Sequence, residues 1–323
     1  MNKLLIVGCG ELGSRFLQAS ISIGQFSIIN IVEPNKLAVD IAKKRSEDIM
    51  NNNISCQINY FENISAILDT GNLAIIATQA DTRDKVFEDV VRLGYKYIIL
   101  EKIVTQSIDQ YQNMQQIAAK NDVKVWVNCK TRCYPIWKYI KSKITKNDNI
   151  NMHSIGGNHG LCTNGLHTID LFNFLANSND LNIDFIKLDA TIHKTKRNKY
   201  DTSGIISYKD SKNTILLDYN INHMQMPIEI ITTNNYKWIV DNAARQAYEI
   251  SFTNSNKITE IPYEGDLSVS FMSRAFILEI LQKKTCELPT LDDCFSAHKM
   301  IYDTMLPHFN MYFDKNTKTC PIT

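Results

Sequence analysis

Residues 1–14 read MNKLLIVGCGELGS and contain the stretch that decides the fold of this chain. Leu4–Val7 is a short apolar run, which is typical of a buried parallel strand. The glycines that follow, Gly8, Gly10 and Gly13, have the spacing G-x-G-x-x-G. In such a motif the first glycine allows a tight turn, the second leaves room for a pyrophosphate, and the third lets the next helix pack closely on the strand. Because the start of that helix offers free N–H groups to phosphate, the stretch predicts a dinucleotide-binding turn.

The sequence around the glycines supports this interpretation over a merely structural turn. An amphipathic stretch follows them, and a second apolar run over 27–32 ends in Glu33, twenty residues after Gly13. An acid at this place accepts hydrogen bonds from ribose hydroxyls and repels a 2′-phosphate, so we expect NAD and regard NADP as the less favoured cofactor. The predicted contacts within the loop also include Cys9, Glu11 and Leu12.

Composition limits the classes of function. The chain has 323 residues, which favours two domains. Its 35 basic and 34 acidic residues nearly cancel and form no basic stripe, so neither nucleic acid nor an acidic membrane surface is indicated. No apolar run approaches the ~18 residues that a membrane span needs, and the first apolar run is too short for a signal peptide. We expect a cytoplasmic protein.

The eight cysteines contain no C-x-x-C pair and no zinc-site spacing. Cys129 and Cys133 could form half of a metal site, but reduced, mostly buried thiols are the simpler expectation. The sequence therefore predicts no metal.

Residues 1–125 are predicted to form an α/β domain, a doubly wound parallel sheet of the Rossmann type. Apolar runs at 57–61, 73–78, 97–100 and 123–127 alternate with helical stretches at 35–48, 83–91 and 107–121. Ligands of such sheets bind beyond the carboxyl ends of the strands. The residues expected there, besides the glycine loop and Glu33, are Thr78, Gln79, Ala80, Glu101 and Lys102.

Residues 126–323 are predicted to form a second, α+β domain with a mostly antiparallel open sheet. After a helix over 165–175, strand-like runs follow without intervening helices. These runs lie at 185–193, 204–208, 214–221, 228–233, 236–240 and 247–252. Helices are expected again at about 267–284 and 291–305.

Lys102 is the first catalytic candidate, since it follows the strand that should end near the nicotinamide. A partly desolvated lysine can hydrogen-bond a substrate hydroxyl and help to move its proton, and Glu101 could orient it. The alternative is a solvated Glu-Lys pair after a strand.

His167 is the second candidate, in the run Gly165-Leu166-His167-Thr168-Ile169-Asp170. Thr163 or Asn164 could cap this helix and leave His167 in its first turn, where the helix dipole disfavours the imidazolium form. A neutral histidine there can accept a proton. The alternative is a packed core histidine.

Together, the glycine motif, Glu101-Lys102 and Gly165–Leu171 resemble the glucose–fructose oxidoreductase / inositol dehydrogenase (Gfo/Idh/MocA) family over most of the chain. The late segment Glu287–Leu291 is similar to the entry of the family's final helix. The resemblance implies NAD(P)-linked oxidation or reduction of a sugar or cyclitol hydroxyl, with Lys102 as the lysine of the catalytic motif and His167 as the active-site histidine. It also implies an open sheet that often mediates homo-oligomers.

Two positions depart from the family pattern. Ile103 stands where proline usually follows the lysine, and Thr163 stands where many members carry an aspartate four residues before the histidine. Because threonine cannot titrate as a carboxylate does, a complete Lys–Asp–His proton relay does not carry over.

Further substrate-binding candidates are Arg132, Asn158, His159 and Asn164, together with His167. Arg132 would suit a carboxylate or phosphate group; a surface arginine and plain turn residues are equally good interpretations.

The leading hypothesis is an NAD(P)-dependent dehydrogenase or reductase that acts on a small sugar-like alcohol or ketone. The segment 158–172 faintly resembles family members from surface-polysaccharide and nonulosonic acid biosynthesis. One alternative is a non-catalytic NAD-binding sensor or assembly protein with the same fold, and another is a reductase of a non-sugar carbonyl.

Overall fold

The computed structural model of the chain describes residues 2–50, 56–157, 160–195, 197–220 and 225–323. These residues form two compact units. The first contains the described part of Met1–Asn128 together with Asp266–Asp293, and the second contains the described parts of Cys129–Gly265 and Cys294–Thr323. Within the described ranges, no helix is both long and apolar enough to cross a membrane.

The first unit is built on a six-stranded parallel sheet with the strand order β3-β2-β1-β4-β5-β6. The two central strands are apolar throughout their inner residues: all four residues of β4 are buried, as are the last four of β1. Such burial on both faces is typical of a parallel sheet. The strands are β1 Asn2–Val7, β2 Phe26–Val32, β3 Gln57–Phe61, β4 Leu73–Ile76, β5 Tyr97–Leu100 and β6 Lys124–Val127.

Two of the helices between these strands begin at polar residues whose side chains cap them. Asn35 accepts a hydrogen bond from the backbone N of Leu37 at 3.0 Å, and Ser107 accepts one from the backbone N of Gln110 at 3.2 Å. The helices are α1 Glu11–Ser22, α2 Lys36–Glu47, α3 Arg83–Arg92 and α4 Ile108–Lys120. The predicted alternation of strands and helices is confirmed.

The first unit also contains a late segment that the sequence prediction assigned to the second domain. Helix α7, Val269–Lys283, packs against α1. After it, Trp126 of β6 forms an antiparallel bridge with Thr290, and the Tyr111 hydroxyl donates to the Leu291 carbonyl at 2.8 Å. The chain thus returns to cover the edge strand β6. The division of the structure therefore differs from the predicted boundary, 1–125 and 126–323.

The second unit is built on an eight-stranded sheet with the order β14-β13-β12-β11-β7-β10-β9-β8. Only the pair β7 and β10 is parallel among the described pairs, so the predicted mostly antiparallel sheet is confirmed. Its strands are β7 Asn151–Ile155, β8 Asn182–Lys194, β9 Tyr200–Lys209, β10 Thr214–Tyr219, β11 Ile228–Thr232, β12 Tyr236–Asp241, β13 Gln246–Ser251 and β14 Lys257–Ile261.

The helices of the second unit are α5 Pro135–Lys143, α6 Gly165–Ala176 and α8 Phe295–Phe313. The sequence prediction missed α5, β7 and β14. The five-residue strand β14 contains three polar residues and is largely exposed, so its pattern resembles a loop. β7 alternates exposed and buried residues, but one of its two buried residues is a serine, which weakens the hydrophobic signal.

Candidate functional site

The glycine loop between β1 and α1 is shaped by contacts that exclude side chains. Gly8 has a φ of +83°, and a Cβ there would lie 2.8 Å from the backbone N of Thr78. A Cβ at Gly13 would lie 2.0 Å from the carbonyl oxygen of Gly8, because helix and loop touch at this point. Around Gly10, by contrast, a Cβ would meet no atom within 4 Å. The open space beside Gly10 fits a pyrophosphate that approaches the backbone closely.

The start of α1 supplies the second part of a phosphate site. Gly10 is the N-cap, and within the described part of the chain no side chain caps the helix there. The first N–H groups of a helix carry partial positive charge and have no partner inside the helix. The backbone N–H groups of Glu11 and Leu12, in this first turn, therefore face the place where an anion would bind, whereas that of Cys9 donates to Glu33.

Glu33 lies beside the glycine loop, at the carboxyl end of β2. Its Oε2 accepts a hydrogen bond from the backbone N of Cys9 at 2.7 Å, and its Oε1 accepts one from the backbone N of Asn35 at 2.9 Å. Each carboxylate oxygen has a second lone pair, so both remain able to accept a ribose hydroxyl. The carboxylate also orders the loop itself, a role that the sequence did not reveal.

Arg45 is a further residue at this site that sequence reasoning missed. From α2, its guanidinium binds both carboxylate oxygens of Glu11, at 2.8 and 2.9 Å, and the hydroxyl of Ser14 at 2.6 Å. The pair fastens α2 to the first turn of α1. Nothing in the sequence pairs residues 11 and 45, since they are separated by a strand and most of a helix.

The loop after β4 carries the predicted residues Thr78, Gln79 and Ala80. The Thr78 hydroxyl oxygen is buried and has no hydrogen-bond partner among the described residues. A buried polar atom without a partner is costly unless a ligand or water satisfies it. Since the backbone of Thr78 lies against Gly8, this orphaned hydroxyl at the edge of the loop agrees with a bound dinucleotide.

Glu101 and Lys102 follow β5 at the same edge of the first sheet. Glu101 is only 2% exposed, and its Oε1 accepts a hydrogen bond from the side-chain amide of Asn128 at 2.6 Å. Burial raises the pKa of Glu101, while Asn128, Arg83 and Lys102 oppose the rise. Lys102 itself is half-buried, and the peptide bond that joins it to Ile103 is cis. The pair is therefore not the solvated Glu-Lys pair of the alternative interpretation.

Arg83 holds the segment that follows Lys102. It is 1% exposed, and its guanidinium donates to the carbonyl oxygens of Ile103 and Val104 and to that of Thr78. It thereby ties the loop after β4 to the loop after β5. In the sequence Arg83 stands in the polar run Asp81–Lys85, which resembles a solvated helix start, so no signal pointed to its burial.

In the second unit, His167 lies in the first turn of α6, as predicted. Its backbone N donates to the carbonyl oxygen of Asn164, the N-cap residue, at 2.9 Å, and its side chain is half-buried. The predicted cap is different in detail: Asn164 is the N-cap residue, but within the described residues no side-chain capping hydrogen bond is formed there. Instead, the Thr163 hydroxyl donates to Asp201 of β9 at 2.6 Å.

Arg132, predicted to bind a substrate anion, already has a carboxylate partner within the chain. Its Nε and NH2 groups donate to the two carboxylate oxygens of Asp170 at 2.8 and 2.6 Å. Burial lowers the pKa of Arg132, but the charge of Asp170 outweighs this effect and holds it above the ordinary value. The bidentate pair engages two nitrogen groups of the Arg132 guanidinium with a carboxylate of the same unit, and the substrate-binding role of Arg132 stays a prediction.

A buried polar chain lies behind the helix that carries His167. The Tyr219 hydroxyl is 2.9 Å from the hydroxyl of Thr168 and 2.9 Å from that of Ser154, which donates to Glu229 Oε1 at 3.0 Å. Glu229 is 3% exposed, and burial raises its pKa to about 8, while the bond from Ser154 opposes the rise. Its Oε2 has no partner among the described residues.

One cluster of metal-ligand type occurs in the described part of the chain, although no metal was predicted. Cys129, Asp170 and Cys294 are all buried, and their ligand atoms lie within 4.8 Å of one another. Asp170 is already neutralised by Arg132, and burial raises the pKa of Cys294 well above its ordinary value. Within this cluster, the Asp170 carboxylate therefore forms an ion pair with Arg132, and the adjacent Cys294 thiol is neutral.

The predicted site residues thus fall into two groups. The first unit brings together the cofactor residues, namely Gly8–Gly13, Glu33, Thr78–Ala80, Glu101 and Lys102. The second unit contains Arg132, Asn164 and His167. Two further candidates, Asn158 and His159, lie outside the described residues.

Three features lie at the carboxyl edge of the parallel sheet: the glycine loop, the uncapped start of α1 and the acid after β2. Together they define an NAD-binding Rossmann domain. Residues 2–129 match the family model GFO_IDH_MocA, described as "Oxidoreductase family, NAD-binding Rossmann fold". This match over residues 2–129 confirms both the predicted resemblance to the Gfo/Idh/MocA family and the predicted NAD cofactor. None of the curated protein sequences matches the chain.

Solved structures share the fold over nearly the whole chain. A dehydrogenase (MviM) from Clostridium difficile is 16% identical with a TM-score of 0.72, over 95% of this chain and 99% of its own. UDP-N-acetylglucosamine 3-dehydrogenase GnnA from Acidithiobacillus ferrooxidans is 11% identical with a TM-score of 0.74, over 94% and 96%. Levoglucosan dehydrogenase in complex with NADH and levoglucosan is 11% identical with a TM-score of 0.72, over 96% and 98%. At these identities the similarity establishes the fold.

Proposed function

We propose that this protein transfers a hydride between NAD and a secondary alcohol or ketone of a sugar or sugar derivative. The observation that carries the proposal is the placement of the Glu101–Lys102 pair, in which Glu101 is buried and Lys102 half-buried. It ends β5 at the same sheet edge as the glycine cradle that ends β1. A lysine anchored beside a dinucleotide site can act on the oxygen of the carbon that exchanges hydride.

Each residue has a separate task in this proposal. The Lys102 ammonium donates a hydrogen bond to the substrate oxygen and polarises the C–O bond. Glu101, held by Asn128, lies beside Lys102 and orients it. His167 accepts the hydroxyl proton in oxidation or returns it in reduction. When bound, NAD supplies the acceptor or donor of the hydride.

The proposed substrate class is a small carbohydrate derivative. Two solved structures of this fold bear the names of dehydrogenases of UDP-N-acetylglucosamine and levoglucosan. We extend the proposal to surface-polysaccharide or nonulosonic acid biosynthesis, on the resemblance noted for segment 158–172. The alternative, an NAD-binding sensor without turnover, is separated from it by the second experiment below.

The first experiment is thermal unfolding with and without NADH and NADPH. A ligand at a hundredfold its Kd adds about 2.7 kcal/mol of stability, which is readily detected. We expect a clear upward shift of Tm with NADH and a smaller one with NADPH, because Glu33 repels the 2′-phosphate. No shift with either cofactor would contradict the proposed function at its foundation.

The second experiment measures turnover with a panel that contains UDP-N-acetylglucosamine, levoglucosan and myo-inositol, followed by the absorbance of NADH. Lys102→Met should lower kcat at least a hundredfold, a typical loss for an acid–base group, while NADH still raises the Tm. The matched control is Lys96→Met, an exposed lysine before the amino end of β5. Full activity of Lys102→Met would remove its role, and NADH binding without turnover would favour the sensor.

A homo-oligomer and a cytoplasmic location remain proposals. The sheet of the second unit exposes apolar side chains on its edge strands, with Phe185 at 48% and Ile258 at 66% exposure. Exposed apolar groups on sheet edges favour association with another copy. Light scattering on the purified chain gives the oligomeric state directly.

A further inference from the structure

Asp201 organises the turn from which the His167 helix begins. It lies on β9, two residues into the strand, and is 6% exposed. Its Oδ1 accepts a hydrogen bond from the backbone N of Cys162 at 2.8 Å. Its Oδ2 accepts one from the backbone N of Thr163 at 3.3 Å and one from the Thr163 hydroxyl at 2.6 Å. One carboxylate thus receives three donors from two consecutive residues of the turn.

One further hydrogen bond and one glycine complete the turn. The backbone N of Leu161 donates to the carbonyl oxygen of Thr202, which follows Asp201 on β9, at 3.2 Å. Gly160 has a φ of +91°, and a Cβ there would lie 2.7 Å from the Thr163 hydroxyl and 2.8 Å from Asp201 Oδ2. A side chain at position 160 would therefore push Thr163 and Asp201 apart. The hydrogen-bonded turn fits only around a glycine.

The orientation of the Thr163 hydroxyl follows from the chemistry of its partner. An ionised carboxylate only accepts hydrogen bonds, so the hydroxyl hydrogen must point at Asp201. Charge-assisted bonds of this kind are about twice as strong as neutral ones. Thr163 itself carries no charge, but the carboxylate of Asp201, which lies on strand β9, is directly beside it.

We propose that Asp201 is a positioning residue for His167. Asp201 is connected to His167 by a short path. Asp201 fixes Cys162 and Thr163, and the next residue, Asn164, is the N-cap of α6. The carbonyl oxygen of Asn164 then accepts a hydrogen bond from the backbone N of His167 at 2.9 Å. The carboxylate of β9 therefore holds the two residues that directly precede the N-cap of α6 and positions the start of its first turn. The catalytic part of this inference rests on the function proposed above.

The first test needs no substrate and reports on His167 directly. Correlation spectra of the imidazole rings, with the signal of His167 identified by its loss in His167→Gln, are compared among variants. Asp201→Asn and Thr163→Val should both displace the His167 ring signals, and Thr163→Ser, which keeps the hydroxyl, should return them towards the wild-type positions. The matched control Asp184→Asn, from the ion pair with Lys209 on the same sheet, should leave them unchanged. Unmoved His167 signals in both Asp201→Asn and Thr163→Val would overturn the inference.

The second test measures kinetics on the substrate that the panel identifies. A misplaced catalytic group costs up to about a hundredfold in rate, so we expect kcat to fall by about tenfold to a hundredfold in Asp201→Asn and in Thr163→Val. The KM for NADH should stay within about twofold, because the cofactor residues belong to the first unit. The double variant should lose no more than Asp201→Asn alone, because both changes break the same contact.

The two proposals fail in different ways. Absence of turnover by the wild-type protein contradicts the proposed function before any variant is made, and the ring spectra then still decide whether Asp201 positions His167. Displaced ring signals with an unchanged kcat, on a substrate that the wild type does turn over, would overturn the role of Asp201 in catalysis. Thr163→Val serves where Asp201→Asn fails to fold, since it keeps the carboxylate and the backbone hydrogen bonds that Cys162 and Thr163 donate to it.

Discussion

The stability of this protein should depend on pH through Glu229, which lies in the polar chain behind α6. The carboxyl group is buried between β7 and β11, where Ser154 and Glu229 are opposite each other in the sheet. It receives one hydrogen bond, from Ser154 at 3.0 Å, and its other oxygen has no partner among the described residues. A carboxylate in such surroundings is poorly solvated, so the folded protein prefers the protonated acid.

The sign and size of the effect follow from linkage. Burial raises the pKa of Glu229 from an ordinary 4.5 to about 8 in the folded state. Between these values the folded protein holds a proton that the unfolded chain has released, so its stability falls as pH rises, by about 1.4 kcal/mol per unit. The stabilising contribution is complete below pH 4.5 and is lost as the pH rises through 8. Between pH 5.5 and 7.5 the loss amounts to about 2.5 kcal/mol.

The perturbation that isolates this effect is Glu229→Gln. The amide has nearly the same shape, still accepts the hydrogen bond from Ser154 and cannot ionise. Urea unfolding of both proteins at pH 5.5 and 7.5 gives the difference in their free energies of unfolding, in which the titration of all other groups cancels. The variant should gain about 2.5 kcal/mol relative to the wild type over this interval. Glu260→Gln, at an exposed position on β14, is the control and should show no such gain.

A difference that stays constant within about 0.5 kcal/mol between the two pH values would refute the reasoning. It would mean that Glu229 ionises in the folded protein as it does in the unfolded chain. The carboxyl group would then be solvated or paired rather than buried against Ser154 and Tyr219. A gain of similar size in the Glu260→Gln control would show instead that the effect belongs to the net charge of the sheet.

Two further predictions concern the first unit. Gly10→Ala should leave the free energy of unfolding within about 0.5 kcal/mol of the wild-type value, because the added Cβ meets open space. It should raise the Kd for NADH at least about tenfold, because the pyrophosphate approaches the backbone in that space. Calorimetric titration with NADH checks this, and wild-type affinity would contradict the cofactor site. Arg83→Met should cost about 3–5 kcal/mol in urea unfolding, since it leaves three carbonyl oxygens and the Glu101 carboxyl group without a buried cation. The control Arg92→Met, whose side chain is 71% exposed, should change stability by less than about 0.5 kcal/mol.

Much of the fold could be predicted from local patterns. Apolar runs such as Leu4–Val7 and the four buried residues of β4 identify buried strands because a parallel sheet needs apolar residues on both faces. The spacing of Gly8, Gly10 and Gly13 predicts the cofactor loop because each glycine answers a steric demand that acts within a few residues. Local patterns of this kind can be interpreted without any knowledge of long-range contacts.

The tertiary structure alone decided how distant charged groups pair. Arg132 looked available for a substrate anion until Asp170, 38 residues later, occupied its guanidinium. Arg83 looked solvated, and the partner of Thr163 comes from β9. A charged residue has the same appearance in a sequence whether it is solvated or buried against a partner, because its energy depends on neighbours that only folding brings close.

The sequence by itself therefore determined the class of this protein: a Rossmann domain with a glycine cradle for NAD, followed by a second α/β unit with a largely antiparallel sheet. These features can be predicted from the periodicity and spacing of residues within one strand or one turn. Only the tertiary structure decided that residues 266–293 belong with the first unit and that a carboxylate from β9 supports the turn before His167. Both depend on contacts between segments far apart in the chain, and such contacts leave no periodic trace in either segment.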